Sequence, residues 1–478
     1  MRNPSRMPLV LLVLCLLTAG LGIIPIKAQT TARVTLTPSQ TTWKTVAYQL
    51  DADNGMVAGS RDLSKIVEHT FNTYVLENDY LKVTLLPEYG GRILSIIYKP
   101  TGHEELYQNP LGLPYGIDAG NFYYDWLMVY GGIFPTFPEP EHGKGWLVPW
   151  AFEVVNQTPD EITVSMSLTD DINFARKPGK FDTGVTGLEV SFYVTLKADR
   201  AAVDTALVVQ NPTSKKVRYE LWVCTTLAPG STPGDTRTTD GAEIIAPVQV
   251  IKMPPWWPAT TAQEQKTDTA DVYTFDKLRM FKNWADMGIT YAYPDMQDKN
   301  FWGVINHDNQ EGIMRISSND VTSGMKMWTW GYNSIEVDPF KQPDVEKRPY
   351  IEMWAGVTSE FFKRTSLAPN AEVRIEETYS PTVGLTNVTQ ASRDFLANFF
   401  ADDNGTINLQ VFSVQPQRAT VRVQITADAA TIYEQPISFD SAKGSEISER
   451  IPDGAKTLTY ALIGEDGSTL LTGEITLN

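Results

Sequence analysis

The chain has 478 residues, 42% of them hydrophobic, which is enough for a sizeable core and for two or three domains. Its formal net charge is −17. That charge, with no basic run after residue 30, does not favour nucleic acid or an anionic membrane surface as a partner.

Taken in order, the chain opens on a targeting pattern. Arg2 and Arg6 precede an apolar run over Val10–Ile24, and Lys27-Ala28-Gln29 follows. This predicts a signal peptide over residues 1–28, cut after Ala28. The run is short for a membrane span, and no later stretch reaches the ~18 apolar residues a membrane helix needs. The expectation is an exported chain (periplasmic, extracellular or on the cell surface) with no membrane insertion after cleavage. Cleavage removes Cys15 and leaves Cys224 alone, so no internal disulfide is expected. Cys224, in YELWVCTTL, reads as a small buried hydrophobe.

Residues 29–70 form an N-terminal segment in which Thr31–Thr37 alternates like an edge strand and Asp51–Gly59 is rich in turn residues. From Phe71 the pattern is consistently β. Val, Ile, Leu, Thr and Tyr runs are broken at Glu77–Asp79, Pro87–Gly91 and Pro100–Gly102. Asn109–Trp150 is a long irregular stretch of Gly, Pro and aromatic residues, a composition typical of functional loops. Strand patterns then return, with turn signals every ten or so residues, as in an antiparallel sandwich. Pro247–Lys266 is a second irregular insertion, and Phe301–Ser317 reads as a hairpin. The β pattern places a main domain over residues 71–381. Residues 382–404 read as a linker, with Ser392–Phe400 as a short helix, and residues 405–478 as a small β-sandwich without Trp or His.

One stretch concentrates unusual chemistry. Lys326–Gly356 contains two aromatic strands around a polar loop, with Trp328 and Trp330 on one and Glu352 and Trp354 on the other. Residues two apart in a strand share a face. Flat rings beside one carboxylate suit a sugar, because rings stack on C–H faces while the carboxylate takes a hydroxyl. Glu352 is the candidate base, set against the alternative of a Glu paired with an Arg at a strand edge. Arg92, after Gly90-Gly91, can be aimed by a tight bend and offers a planar fork to hydroxyls or a carboxylate; the alternative is a structural ion pair. Asp125 and Trp126 could line the same cleft. His142 stands beside Glu139 and Glu141 in the aromatic loop. That spacing is not a recognised ligand set, so no metal and no cofactor are expected. His103 and His307 read as solvated turn residues, and His69 has no evident partner in sequence. Trp256, Trp257 and Trp302 also fall in or near irregular stretches, although large sandwiches fill cores with Trp as well.

Five segments together resemble the galactose-mutarotase-like superfamily, and a bacterial branch of it described as a domain of unknown function. They are LENDYLKVTLLPEYGGRILSI, YGGIFPTFPEPEHG, YELWVCTTLAPG, KMWTWG and YIEMWAG, spread over roughly residues 70–381. The resemblance implies an all-β fold, a large antiparallel β-supersandwich with a carbohydrate site on its concave face. In aldose epimerases the Glu of the strand resembling YIEMWAG is the general base, a His in the segment resembling EHG lies at the sugar, and an Arg near the first glycine-rich strand contacts hydroxyls. Those roles fall on Glu352, His142 and Arg92. One departure counts against ordinary mutarotation. A second His, the acid for the ring oxygen, belongs on the strand resembling YELWVCTTLAPG, which here brings Trp222 and Thr225 instead.

The expected ligand is therefore a carbohydrate. The expected site is Glu352 and His142 as acid–base pair, with Arg92, Asp125, Glu139, Trp222, Trp328, Trp330 and Trp354 contacting the sugar. Two readings follow, an epimerase-like, lyase or hydrolase enzyme and a non-catalytic glycan-binding module. A structural surface protein is a third. Nothing in the sequence specifies an oligomeric state.

Overall fold

The computed structural model describes residues 33–49, 57, 59–60, 62–109, 131–139, 143–146, 148–173, 184–255, 260–284, 288–294, 296, 299–329, 331–332, 351–427 and 429–477. The expected signal peptide lies outside the described residues, as do Trp126, Glu141, Trp256 and Trp257.

Period-two patterning decides the architecture. In Glu189–Lys197 (EVSFYVTLK), Val190, Phe192, Val194 and Leu196 are buried while Glu189 and Lys197 are exposed. Strands of this kind assemble, among the described residues, into a 12-stranded and an 8-stranded antiparallel sheet. The inward side chains of both sheets share one core, which joins Leu76, Val83 and Ile96 to Val190, Phe192 and Ile316. Each such side chain contributes about 1.5–3 kcal/mol by leaving water. This is the antiparallel supersandwich that the resemblance implies. Thr35–Ala47 stands at the sheet edge, antiparallel to Asp62–Glu77. Phe301–Asn306 and Glu311–Ser317 form the expected hairpin.

Four neighbouring strands of the large sheet matter most. Trp222–Ser231 pairs with Ile351–Gly356, which pairs with Gly324–Thr329, which pairs with Gly288–Tyr293.

Two four-stranded sheets follow, closing on a separate core of Phe395, Leu409, Val421, Tyr460 and Leu462. Ser392–Phe400, expected as a short helix in a linker, is instead largely strand, Phe395–Ala401, paired with Thr406–Ser413. The reason is burial on both faces. Phe395, Ala397 and Phe399 enter the small core while Leu396 packs into the large one. Other contacts join the two sandwiches. Tyr98 donates its hydroxyl to the Ser441 carbonyl, Ala201 N–H donates to Val414 O at 2.7 Å, and Arg200 pairs with Asp394 at 2.5 Å.

Candidate functional site

The register of the four strands sets the site residue by residue. Residues opposite one another lie on the same face. One cross-strand row contains Thr226, Glu352, Trp328 and Ile289. The next contains Phe134, Cys224, Trp354, Lys326 and Tyr291. The third contains Thr136, Trp222, Gly356 and Gly324. Intervening residues such as Val223, Met353, Met325 and Met327 point into the main core.

This outer face carries its own hydrophobic cluster of Phe134, Trp222, Cys224, Ile289, Tyr291, Trp354 and Phe361, with Trp328 packed against it. Trp222 lies across the two glycines of its row. A Cβ on Gly356 would stand 2.3 Å from the Trp222 ring, so only glycine fits there. Phe361 caps the cluster edge-on, with ring centroids 5.0 Å from Trp222 and 5.3 Å from Trp354. Its neighbour Phe362 has φ of +66°, an unfavourable conformation for a bulky residue. The Phe362 N–H donates to Glu220 at 3.0 Å and holds it there.

The charged groups sit inside this aromatic setting. Glu352 is 7% exposed, and the Trp354 indole N–H donates to its Oε2 at 3.1 Å. The Lys326 ammonium lies 4.0 Å from the Trp354 ring centroid and 4.5 Å from that of Phe361, within cation–π range. The Cys224 thiol reports the same neighbourhood. Burial pushes it well above its usual value, Glu352 adds to that, and Lys326 and Arg92 oppose it. Thr226 Oγ1 accepts the Gly132 N–H at 2.7 Å.

Arg92 is fully buried beside this cluster. It donates to the carbonyls of Tyr89 (2.8 Å), Gly131 (3.1 Å) and Trp146 (2.8 Å), and its guanidinium lies 4.5 Å from the Phe134 ring centroid. The bend that aims it needs Gly90 at φ +80°, where a Cβ would meet the Trp146 carbonyl at 2.0 Å. Glu139 is buried and pairs with Arg364 at 2.6 Å, close to Glu220.

The fold thus brings Glu352, Trp222, Trp328 and Trp354 onto one face and sets Arg92 alongside, while Glu139 belongs to a buried ion pair with Arg364. His142, Asp125 and Trp330 lie outside the described residues. Trp302 belongs to the main core, under Arg315. His103 and His307 are not merely solvated. Each ring meets a carboxylate, His103 Nδ1 at 2.5 Å from Glu311 and His307 Nε2 at 2.6 Å from Glu243.

Sequence reasoning missed Lys326, Tyr291 and Phe361. The signal for Lys326 was present, two residues before Trp328 and so on its face. Tyr291 needed the strand register, and Phe361 needed the backbone turn at Phe362.

With this geometry in place, comparison with known proteins is informative about fold. The family described as Domain of unknown function (DUF5107) matches residues 60–382. Among solved structures, the chain is similar to a TPR-domain containing protein from Parabacteroides distasonis at 16% identity and a TM-score of 0.59, covering 76% of this chain and 57% of that one. It therefore spans little more than half of that longer protein. It is also similar to a putative aldose 1-epimerase from Klebsiella pneumoniae, at 13% identity and a TM-score of 0.47, covering 72% of this chain and 91% of that one. A galactose mutarotase-like protein from Clostridium acetobutylicum gives 9% identity and a TM-score of 0.45, covering 68% and 97%.

Proposed function

We propose, for a chain that belongs to the DUF5107 family, that the Glu352 face of the large sheet binds a sugar or oligosaccharide, and that residues 1–28 export the protein to meet it. The observation that carries the reading is Glu352 itself. It is a nearly buried carboxylate flanked by the Trp328 and Trp354 rings and hydrogen-bonded by an indole N–H. Aromatic faces take the C–H surface of a sugar ring, and the carboxylate oxygens accept its hydroxyls.

In the catalytic form of this reading, Glu352 removes a proton from the sugar and His142 supplies one, as an epimerase-like, lyase or hydrolase step requires. Such acid–base help is worth about 10²–10⁴-fold. The second reading is a glycan-binding module without turnover. It is favoured by the strand Trp222–Ser231, which presents Trp222, Cys224 and Thr226 toward this face and no imidazole.

A glycan array probed with the wild type and with Glu352→Gln, followed by turnover assays on every sugar bound, tests both. The enzyme reading expects turnover by the wild type and a loss of about 100-fold or more in the variant, with binding retained. Binding without turnover in either protein leaves the module. No binding by the wild type sinks both.

A further inference from the structure

The two sandwiches meet beside a pair of buried carboxyl groups. In the strand His103–Leu106, residues two apart share a face, so His103 and Glu105 point one way and Glu104 the other. Glu104 is satisfied on its side by Ser95, by the Ile96 N–H at 2.9 Å and by Gln108 at 3.1 Å. On the opposite side, His103 Nδ1 lies 2.5 Å from Oε2 of Glu311, the residue that opens Glu311–Ser317. Glu105 is fully buried, and the charges that act on it are those of Glu311 and Glu104. Neither of its oxygens has a hydrogen-bond partner among the described residues, nor has Oε1 of buried Glu311. Burial and then these two like charges hold the Glu105 carboxyl well above the usual carboxylate range, while the nearby Gly230 N–H pulls the other way.

Tyr98 connects this pair to the small sandwich. It stands opposite His103 across two neighbouring strands, and so on the face that carries Glu105. Burial, and then the charges of Glu105, Glu311 and Asp440 with the Tyr80 phenol, push its hydroxyl up, so it remains a donor. Its acceptor is the carbonyl of Ser441, in the 440–444 turn of the small sandwich. Gly444 of the same turn packs so closely on Val383 that a Cβ would stand 2.7 Å from the Val383 carbonyl. Val383 is in turn the residue paired with Glu311. The turn therefore rests on the two strand ends that hold the carboxyl pair.

We propose that Glu105 and Glu311 form a proton-operated latch between the sandwiches. Holding a proton, the pair lets the large sandwich close beneath the 440–444 turn. Without it, two enclosed negative charges repel, draw in water and loosen the turn. The sign follows from linkage. A carboxyl raised in the docked state stabilises that state fully below its ordinary value of about 4.5, and the contribution is lost as pH rises through the docked value. Docking of the turn is thus tight in acid and loose in alkali. Elsewhere on the junction the Ala201 N–H donates to the Val414 carbonyl at 2.7 Å with no carboxyl involved. The latch therefore frees the turn and leaves the sandwiches joined. The device is independent of any ligand at the Glu352 face.

The test is hydrogen exchange of the full chain at pH 5 and pH 8, corrected for the intrinsic pH dependence of exchange, together with thermal melts. Peptides covering 440–444 report the turn, and the Ala201 amide is the internal control. The proteins are the wild type, Glu105→Gln, Glu105→Met and Glu220→Gln. In the wild type, protection of 440–444 should fall about tenfold or more from pH 5 to pH 8, while that of Ala201 holds. In Glu105→Gln the neutral amide stands in for the protonated carboxyl. The fall should shrink to about threefold or less, and Tm at pH 8 should lie about 2 °C or more above wild type. Should the amide not be tolerated, the apolar Glu105→Met should give the same result, since no hydrogen bond is lost. Equal wild-type protection of the turn at both pH values overturns the proposal. So does a fall that persists in both Glu105 variants or disappears in Glu220→Gln. A Tm below wild type at pH 8 in both Glu105 variants also overturns it, because an ionised Glu105 would then be supporting the fold.

Discussion

The two sandwiches close their cores by the same alternation, yet they treat the outer faces of their sheets differently. In the small one, Val421 and Val423 turn inward, and Arg422 between them turns outward to pair with Glu434, the two side chains 36% and 42% exposed. In the large one, every residue of Ile351–Gly356 is buried, on the outward face as well as the inward. The outer layer there is not merely apolar, since it holds Glu352 and Lys326 inside a ring of aromatic residues. Enclosing charge is unfavourable unless each group finds compensation. A face that carries this burden beyond the main core is therefore marked out from ordinary packing, and the small sandwich supplies the internal control.

The largest expected effect lies between the two sheets of the large sandwich. Arg315 reaches Glu377 through Nε at 2.7 Å and Nη2 at 2.6 Å, both side chains are 1% exposed, and Tyr379 donates to the same carboxylate at 2.8 Å. Glu377→Ala would strand a buried guanidinium, and denaturant unfolding should show a loss of about 3–5 kcal/mol. A loss near the level of an exposed pair would mean that this network is solvated and the contrast between the sandwiches is weaker than drawn.

Next in size is Gly356→Ala. The new methyl would collide with the Trp222 ring, and overpacking of this kind costs about 1–3 kcal/mol. Displacing Trp222 should also lower glycan affinity. Unfolding and binding measured on one preparation separate the two consequences. Full affinity in a destabilised variant would show that Trp222 supports the face without contacting ligand.

A pH effect follows from Glu220, whose carboxylate holds Phe362. Burial pushes its carboxyl up to about 7, against the opposing pull of the Phe362 N–H and Arg364. The folded state therefore binds this proton more tightly than the unfolded state, and stability falls as pH rises from about 4.5 to about 7. Buried Glu104 acts in the same direction, also at about 7. In the small sandwich Asp402, Glu434 and Asp466 shift downward through hydrogen bonds, so their contributions fade only in acid, below the ordinary carboxylate values. Thermal melts should give a higher Tm at pH 5 than at pH 8, with a smaller difference in Glu220→Gln. An identical difference in that variant would assign the effect elsewhere.

Much of this organisation was legible from residue types alone, because period two is a strong signal when one face is polar. It placed Glu352 with Trp354 and set Trp328 on a single face of its strand. It failed where burial is two-sided. The run FLANFF has no polar face to mark its period, so a short strand is indistinguishable from a helical turn by pattern. Register and backbone conformation were also out of reach. Nothing in GMKMWT says that Lys326 will face Trp354, and nothing in TSEFFKR says that Phe362 will adopt positive φ and swing Phe361 over the cluster. Arg92 shows a third limit. Its glycine-assisted bend was readable, whereas the three carbonyls that take its donors come from separate segments, two of them distant in sequence.

The smallest expected effect completes the contrast. Arg422 and Glu434 face each other across Gln417–Ile425 and Thr431–Phe439, with Nη2 at 2.8 Å and Nε at 3.1 Å from the carboxylate. By distance alone this pair looks as strong as Arg315–Glu377. Water decides otherwise, because exposed pairs are screened and must immobilise long side chains, and their net worth is about 0–1 kcal/mol. Arg422→Ala should thus change unfolding free energy by less than about 1 kcal/mol, and raising salt should shrink even that. If it proved as damaging as Glu377→Ala, geometry rather than burial would govern these ion pairs.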